Sequence, residues 1–279
     1  MAIIKDEVLD KFNEQLNDDF FNLFEQNQFS ILENQTDKFL IDLHQGIQEI
    51  KRSSYGITYV INLLCKSIFE KAQLTTIDPY DLAITMVDQF KDFRTISVGL
   101  GILSHVGVSQ PEKVVPLIIK ASDHELWEVK EFVQMFLRKI TKKHKVYVQN
   151  ELLKLTESDN ANYRRFASEA LRPVVENRWI QDDPEFSLKV LRKLFHEPDP
   201  FPRVSVGNNL SDLSRKNPEL ILSIVKELVG ENDENSYFIA HRACRNLVKL
   251  EPLRVLDLLS IDVYKYKTKT YKRENYMNN

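Results

Sequence analysis

Five prolines recur at near-constant spacing, and that spacing limits the fold more than any other feature of the 279-residue chain. Asp78-Pro79, Gln110-Pro111-Glu112, Asp183-Pro184-Glu185, Asn217-Pro218-Glu219 and Glu251-Pro252 each precede an amphipathic run, at steps of 32, 73, 34 and 34. The step of 73 is two periods of about 36, the unit near Lys145 lacking its proline. Proline suits the first helical position because its missing N–H would have no intrahelical partner there, and a preceding Asp or Asn can cap. Each proline therefore predicts a helix start. After Pro218, Leu220, Ile221, Ile224, Val225 and Leu228 share one helical face, as Leu188, Leu191 and Leu194 do after Pro184. Further helices are expected between these, in EVKEFVQMFLRKI, YRRFASEALRPVV, RVSVGNNLSDLS and IAHRACRNLVKL. Their anchors Leu137, Leu171, Leu210 and Leu247 recur at 34, 39 and 37. The phrase Ser97-Val98-Gly99 returns as Ser205-Val206-Gly207, 108 residues or three periods later.

Helix pairs at this period stack into an α-solenoid, because no pair can bury its apolar stripe alone. The expected fold is all-α, a superhelix of HEAT-like pairs in one domain spanning 1–279. Within it, 1–75 are irregular N-terminal helices, 76–260 the repeats and 261–279 a basic, aromatic C-terminal tail. Seven glycines and ten prolines fall well below the ~12% of average usage. A sandwich or barrel with a turn every ten or so residues is thereby excluded.

The net charge of −3 is unevenly spread: residues 1–100 hold 9 Lys/Arg against 16 Asp/Glu, leaving the rest mildly basic. Arg138, Lys139, Lys142, Lys143 and Lys145 form one basic cluster, and Lys265, Lys267, Lys269, Lys272 and Arg273 another among tyrosines. Two readings stand for each: a solvated helix end or loose tail, or a contact for a polyanion. Cys65 and Cys244 are far apart without CxxC spacing, and charges interrupt the N-terminus where a signal peptide would be apolar. A reduced cytoplasmic setting, nucleoid-associated, and no membrane partner are expected.

Nucleotide loops are not expected, since Gly99 and Gly101 form a lone GxG within a helical repeat, better explained by helix packing. No metal site is expected either, because the six histidines show no ligand spacing and neither cysteine has a ligand neighbour. What remains is polar pairing on helix faces: Trp127 with Glu131, Arg165 with Glu169, Glu169 with Arg172, Asn208 with Asp212, and His241 with Arg245. Such residues either knit adjacent repeats together or converge on a polar cleft.

Three segments carry a family resemblance. Residues 162–173, NYRRFASEALRP, resemble the "RR-x-x-SEG-x-RP" segment of the AlkC-like branch of HEAT-like DNA alkylation-repair glycosylases. VGNNLSDLS from Val206, followed by NPEL, resembles the family's "VANNLNDIS…HPDL", and RACRNLVK from Arg242 its "RHALRTLVK" ending. The resemblance covers roughly 120–260. It implies excision of cationic N3- or N7-alkylated purines, of the 3-methyladenine type, from double-stranded DNA by a monomer needing no metal or cofactor. Glu169 and Asp212 match the family's acidic groups that face the sugar, and Glu131 its upstream glutamate, a candidate for positioning water. Arg165 matches the arginine that approaches DNA at the lesion, and Arg172 would orient Glu169. Trp179, or alternatively Trp127, would lie against the cationic sugar. Asn208, His241 and Arg245 complete the expected DNA-binding set.

The chemistry suits carboxylates. A cationic alkylpurine leaves as a neutral base, so the protein must stabilise an oxocarbenium-like sugar and place a water, tasks that carboxylates perform in glycoside hydrolysis. Ala170 stands where the family motif has glycine, which keeps open an alternative: a non-catalytic repeat protein that binds DNA structure or a protein partner. An immunoglobulin-like module carried by some relatives is not expected after residue 260.

Overall fold

The computed structural model describes residues 2–277, and the chain divides into two compact units, Met1–His144 and Lys145–Asn279. Each is a stack of helix pairs, the all-α solenoid architecture that the proline spacing predicts.

The first unit contains α1 (Asp6–Gln15), α2 (Asp18–Glu25), α3 (Phe29–Gln45), α4 (Ile57–Ala72), α5 (Pro79–Gln89), α6 (Phe93–Val106), α7 (Pro111–Ala121) and α8 (Trp127–Lys143). Helix α6 packs on α4, α5 and α8. Thus α4, within the segment expected to be irregular, already stacks as a repeat helix does. Helix α6 is apolar around its circumference, and all of Thr95–Ser104 are buried. The expectation that Gly99 and Gly101 serve packing is met at close quarters. A Cβ on Gly99 would lie 2.9 Å from the Met86 Cβ of α5, and one on Gly101 2.6 Å from the Cys65 Sγ of α4.

The second unit contains α9 (Lys145–Leu155), α10 (Ala161–Glu169), α11 (Pro184–Leu191), α12 (Pro200–Leu213), α13 (Pro218–Gly230), α14 (Glu234–Leu247) and α15 (Pro252–Leu259). Helices α10, α12 and α14 pack in sequence, each on the next, while α13 and α15 lie against α14. All five prolines of the register open helices (α5, α7, α11, α13 and α15), and Pro200 opens α12 as well.

Capping departs from expectation. Only Asp78 among the residues before these five prolines accepts a side-chain cap bond, from the Tyr80 N–H at 2.8 Å. The Asn217 amide instead donates to the Gln181 carbonyl of the preceding repeat at 2.9 Å, so the side chain joins repeats while its backbone carbonyl accepts from Ile221.

The C-terminal segment is no loose tail. After Ser260, whose left-handed φ of 55° ends α15, strands β1 (Val263–Tyr266) and β2 (Lys269–Lys272) form an antiparallel hairpin. Tyr264 and Tyr271 face each other across it, 1% and 8% exposed, while Lys265, Lys267, Lys269 and Lys272 are exposed. That two-residue alternation is the strand period, with the aromatic face turned in. Asn278 and Asn279 of the expected tail lie outside the described residues. Among the described residues no helix is long and apolar enough to cross a membrane.

Candidate functional site

Helix α10 ends at Glu169 because Pro173 lies just ahead and disfavours a helical residue before it. The chain turns there through Leu171 and Arg172, whose N–H groups bond the Ser168 and Glu169 carbonyls. The turn carries Arg172 across to α12. Its Nε and Nη2 donate to Asp212 Oδ2 at 3.0 and 2.6 Å, and its Nη1 reaches Glu169 Oε2 at 3.5 Å. One guanidinium thus joins two carboxylates that are 43 positions apart in the chain. Burial works against the Arg172 charge, but Glu169 and Asp212 outweigh it and raise its pKa. Glu169 is only 5% exposed. Asp212 spends Oδ2 on Arg172, and its Oδ1 has a longer contact to Arg215 at 3.5 Å. A cavity of about 480 Å³ opens beside the pair, lined by Arg172, Pro173, Arg178, Gln181, Asp212 and Arg215 among others.

The paired arginines Arg164 and Arg165 divide their tasks. Arg164 donates to Glu197 at 2.8 and 2.9 Å, to Asp199 at 2.6 Å and to the Ser158 and Asp159 carbonyls at 2.8 and 3.0 Å. It ties the start of α10 to the turn before α12, a structural duty that identity and spacing did not reveal. Arg165, the expected DNA contact, is 7% exposed with its guanidinium 4.5 Å from the Phe201 ring centre.

The adjacent asparagines Asn208 and Asn209 also separate. Asn209 is fully buried and donates to the Ser168 carbonyl at 2.9 Å, the knitting reading of such residues. Asn208 Oδ1 accepts from Arg242 Nε at 2.9 Å and from Arg245. Gly207 makes room for this, since a Cβ there would lie 2.7 Å from the Arg242 Cβ. Beyond the asparagine lies a second recess of about 410 Å³ between α14 and the hairpin. His241 stacks on Tyr264 with ring centres 4.4 Å apart, and the Tyr264 hydroxyl donates to the His241 carbonyl at 2.6 Å. Burial first, and then Arg245, lower the His241 pKa.

Trp179, Trp127 and Glu131 are the remaining expected site residues. Trp179 packs on Phe186, ring centres 4.9 Å apart, with Lys145 Nζ 3.7 Å over its indole, so its face is occupied by a cation of the protein itself. Trp127 and Glu131 belong to α8 of the first unit; Trp127 is 47% exposed and Glu131 is exposed. In the basic cluster on that helix, Arg138 is buried, with Nη2 3.4 Å from Gln134 Oε1, and Lys139 Nζ lies 2.7 Å from His105 Nε2. Neither fits the solvated-end reading.

The comparisons agree with this architecture. A family model described as DNA alkylation repair enzyme matches residues 58–247. The uncharacterized protein YhaZ of Bacillus subtilis (strain 168) is 31% identical over 118 residues, 40% of this chain and 32% of that protein. The matched part thus spans about a third of that relative. The crystal structure of AlkD2 from Streptococcus mutans aligns with a TM-score of 0.56 and 16% identity, covering 75% of this chain and 98% of that one. Pseudomonas fluorescens alkylpurine DNA glycosylase AlkC, bound to DNA containing an abasic site analog, aligns with a TM-score of 0.59 and 18% identity, covering 90% and 69%. At such identities the two structures establish the fold.

Proposed function

The chain belongs to the DNA alkylation repair enzyme family, and from that premise we propose that it is a monofunctional DNA glycosylase releasing cationic N3- or N7-alkylpurines from double-stranded DNA. The observation that carries the reading is the Glu169–Arg172–Asp212 cluster, of which Arg172 and Asp212 line a cavity. The bond to break joins the sugar C1′ to the alkylated base, and its electron pair leaves with the base, which becomes neutral. Positive charge then develops on the sugar, where fixed carboxylates stabilise it. A water oxygen bonds C1′, and its proton passes to a carboxylate.

Arg172 holds the two acids in place, so that neither must be ordered when DNA arrives. Because it takes Asp212 Oδ2, the other oxygen is the one suited to meet the sugar or the water. Lesion DNA is the partner in this reading, and the mildly basic second unit suits a polyanion. Glu131 remains a separate proposal for a water-positioning carboxylate.

The test is incubation with methylated duplex and identification of released bases. Glu169→Gln and Asp212→Asn should each lower single-turnover release by about 10²- to 10³-fold, with helical content unchanged. Glu131→Gln, assayed alongside, reports whether the first unit contributes a carboxylate. If the parent protein releases no alkylpurine, or both second-unit variants match it, the reading fails. The ion-paired state of both acids favours one alternative, a protein that binds DNA without excision; that version predicts salt-sensitive duplex binding and no released base.

A further inference from the structure

The recess between α14 and the hairpin gathers cations with no carboxylate in its lining. Arg242 and Arg245 from the helix and Lys265 and Lys267 from the hairpin line it. The two guanidiniums share one neutral acceptor, Asn208 Oδ1. Among the described residues neither forms an ion pair, and their remaining N–H groups outnumber this one shared oxygen. Tyr266 stands in the middle: the Arg245 guanidinium, Lys249 Nζ and Lys267 Nζ lie 5.2, 5.2 and 5.6 Å from its ring centre. A ring face attracts cations and lets them assemble, but it does not cancel their mutual repulsion. That repulsion is felt, since burial first and then Arg245 lower the pKa of both Arg242 and His241, while Tyr264, Tyr266 and Glu169 offset part of it at Arg242.

Elsewhere in the same unit, several arginines are matched by acids, although Arg203 bonds the neutral Asn235. Arg164 has Glu197 and Asp199, Arg172 has Glu169 and Asp212, Arg192 has Glu227, and Arg254 has Glu219 and Glu251. The recess is different, and it is also firmly built: Tyr264 is 1% exposed and bonded to α14, so the hairpin lysines are carried on an anchored element. Forked guanidinium donors beside mobile ammonium groups suit the oxygens of a phosphate.

We propose that this recess is a phosphate site, and that its occupant is a phosphodiester of the duplex outside the lesion. The hairpin, on this proposal, is a clamp on the DNA backbone that acts apart from the carboxylate cluster. The identity of the polyanion rests on the DNA repair reading given above; the anion site itself rests on the lining alone.

The experiment measures binding of the full chain to an unmodified duplex by fluorescence anisotropy over a salt series. Lys265→Ala/Lys267→Ala and, separately, Arg245→Ala are compared with the parent. A control double variant, Lys193→Ala/Lys226→Ala, removes two exposed lysines from elsewhere in the unit. The hairpin double variant should bind several-fold more weakly at low salt, with the log–log salt slope reduced by about 1 to 2, and the control should match the parent. Parent-like affinity and slope in both recess variants would overturn the proposal, as would equal weakening by the control. A titration with inorganic phosphate, followed through the Arg245 Nε resonance, separates the sources. Saturation by phosphate with no response to duplex would overturn the assignment to the DNA backbone. Because base release by the parent is measured independently, loss of the glycosylase reading leaves the binding result standing, and the reverse also holds.

Discussion

Helices α6 and α12 occupy equivalent places three repeats apart, and they put the same register to opposite uses. Both contain Ser-Val-Gly, at 97–99 and 205–207. In α6 the residues that follow are Leu100, Gly101, Ile102, Leu103 and Ser104, all buried. The same five places in α12 are Asn208, Asn209, Leu210, Ser211 and Asp212. Gly101 lets α4 approach until a Cβ would touch Cys65, whereas Asn209, its counterpart, reaches across to α10 with a hydrogen bond. Ser104 bonds the Gly101 carbonyl at 2.7 Å; Asp212, its counterpart, meets Arg172. The repeat thus supplies a scaffold position, and chemistry enters where packing residues have been replaced as a set together with their partners.

The largest test of that contrast is to exchange one residue without its partner. Ser104→Asp should destabilise the first unit by about 3–5 kcal/mol, because the carboxylate would be buried beside a carbonyl oxygen with no arginine supplied. In the second unit, Arg172→Ala removes the charge that joins buried Glu169 to Asp212. Its cost should be smaller, about 2–3 kcal/mol, since Arg172 is 31% exposed. Denaturant midpoints measure both, and a tolerated Ser104→Asp would show that the position is not set by packing.

The next effect concerns pH. His105, on α6, stacks on Phe69 and faces Lys139. Burial, followed by Lys139 and Lys66, lowers its pKa from 6.5 to about 4. The unfolded chain therefore takes up a proton first as pH falls. Stability is full above pH 6.5 and declines toward pH 4, by at most about 3 kcal/mol before solvent screening. His105→Gln should flatten that decline in pH-dependent unfolding; an unchanged slope would assign the sensitivity elsewhere.

Smallest is the comparison of counterparts in packing. Gly101→Ala should cost about 1–3 kcal/mol, because Cys65 stands within 2.7 Å of the added carbon on both its Cβ and Sγ. Asn209→Ala should cost about 1 kcal/mol for the lost bond to Ser168. Equal costs, read from thermal or denaturant midpoints, would blur the distinction between the two helices.

The stack was legible in the sequence because proline marks a helix start through its own backbone chemistry, independent of what surrounds it. The hairpin was not, because its lysines read as charge before their alternation with Tyr264, Tyr266 and Tyr271 could read as a strand period. Spacing along one helix could pair Arg172 with Glu169, since both lie on one local segment. It could not supply the stronger bond to Asp212, which exists only when α10 and α12 are packed together. Nor could it separate Arg164 from Arg165 or Asn208 from Asn209, neighbours in sequence that the helical turn sends in different directions.

The asparagine bonds between helices also give the stack a direction. Asn209 of α12 donates to the Ser168 carbonyl in the last turn of α10, and Asn246 of α14 donates to the Ser211 carbonyl in the last turn of α12 at 2.8 Å. Both carbonyls also take a local bond, Ser168 from the Leu171 N–H and Ser211 from the Ser214 hydroxyl, so each asparagine is a second donor from the next repeat. Each helix end thus gains a bond from its successor and not from its predecessor, so the nearest-neighbour coupling along this unit has a direction: damage to one repeat removes a bond from the end of the repeat before it.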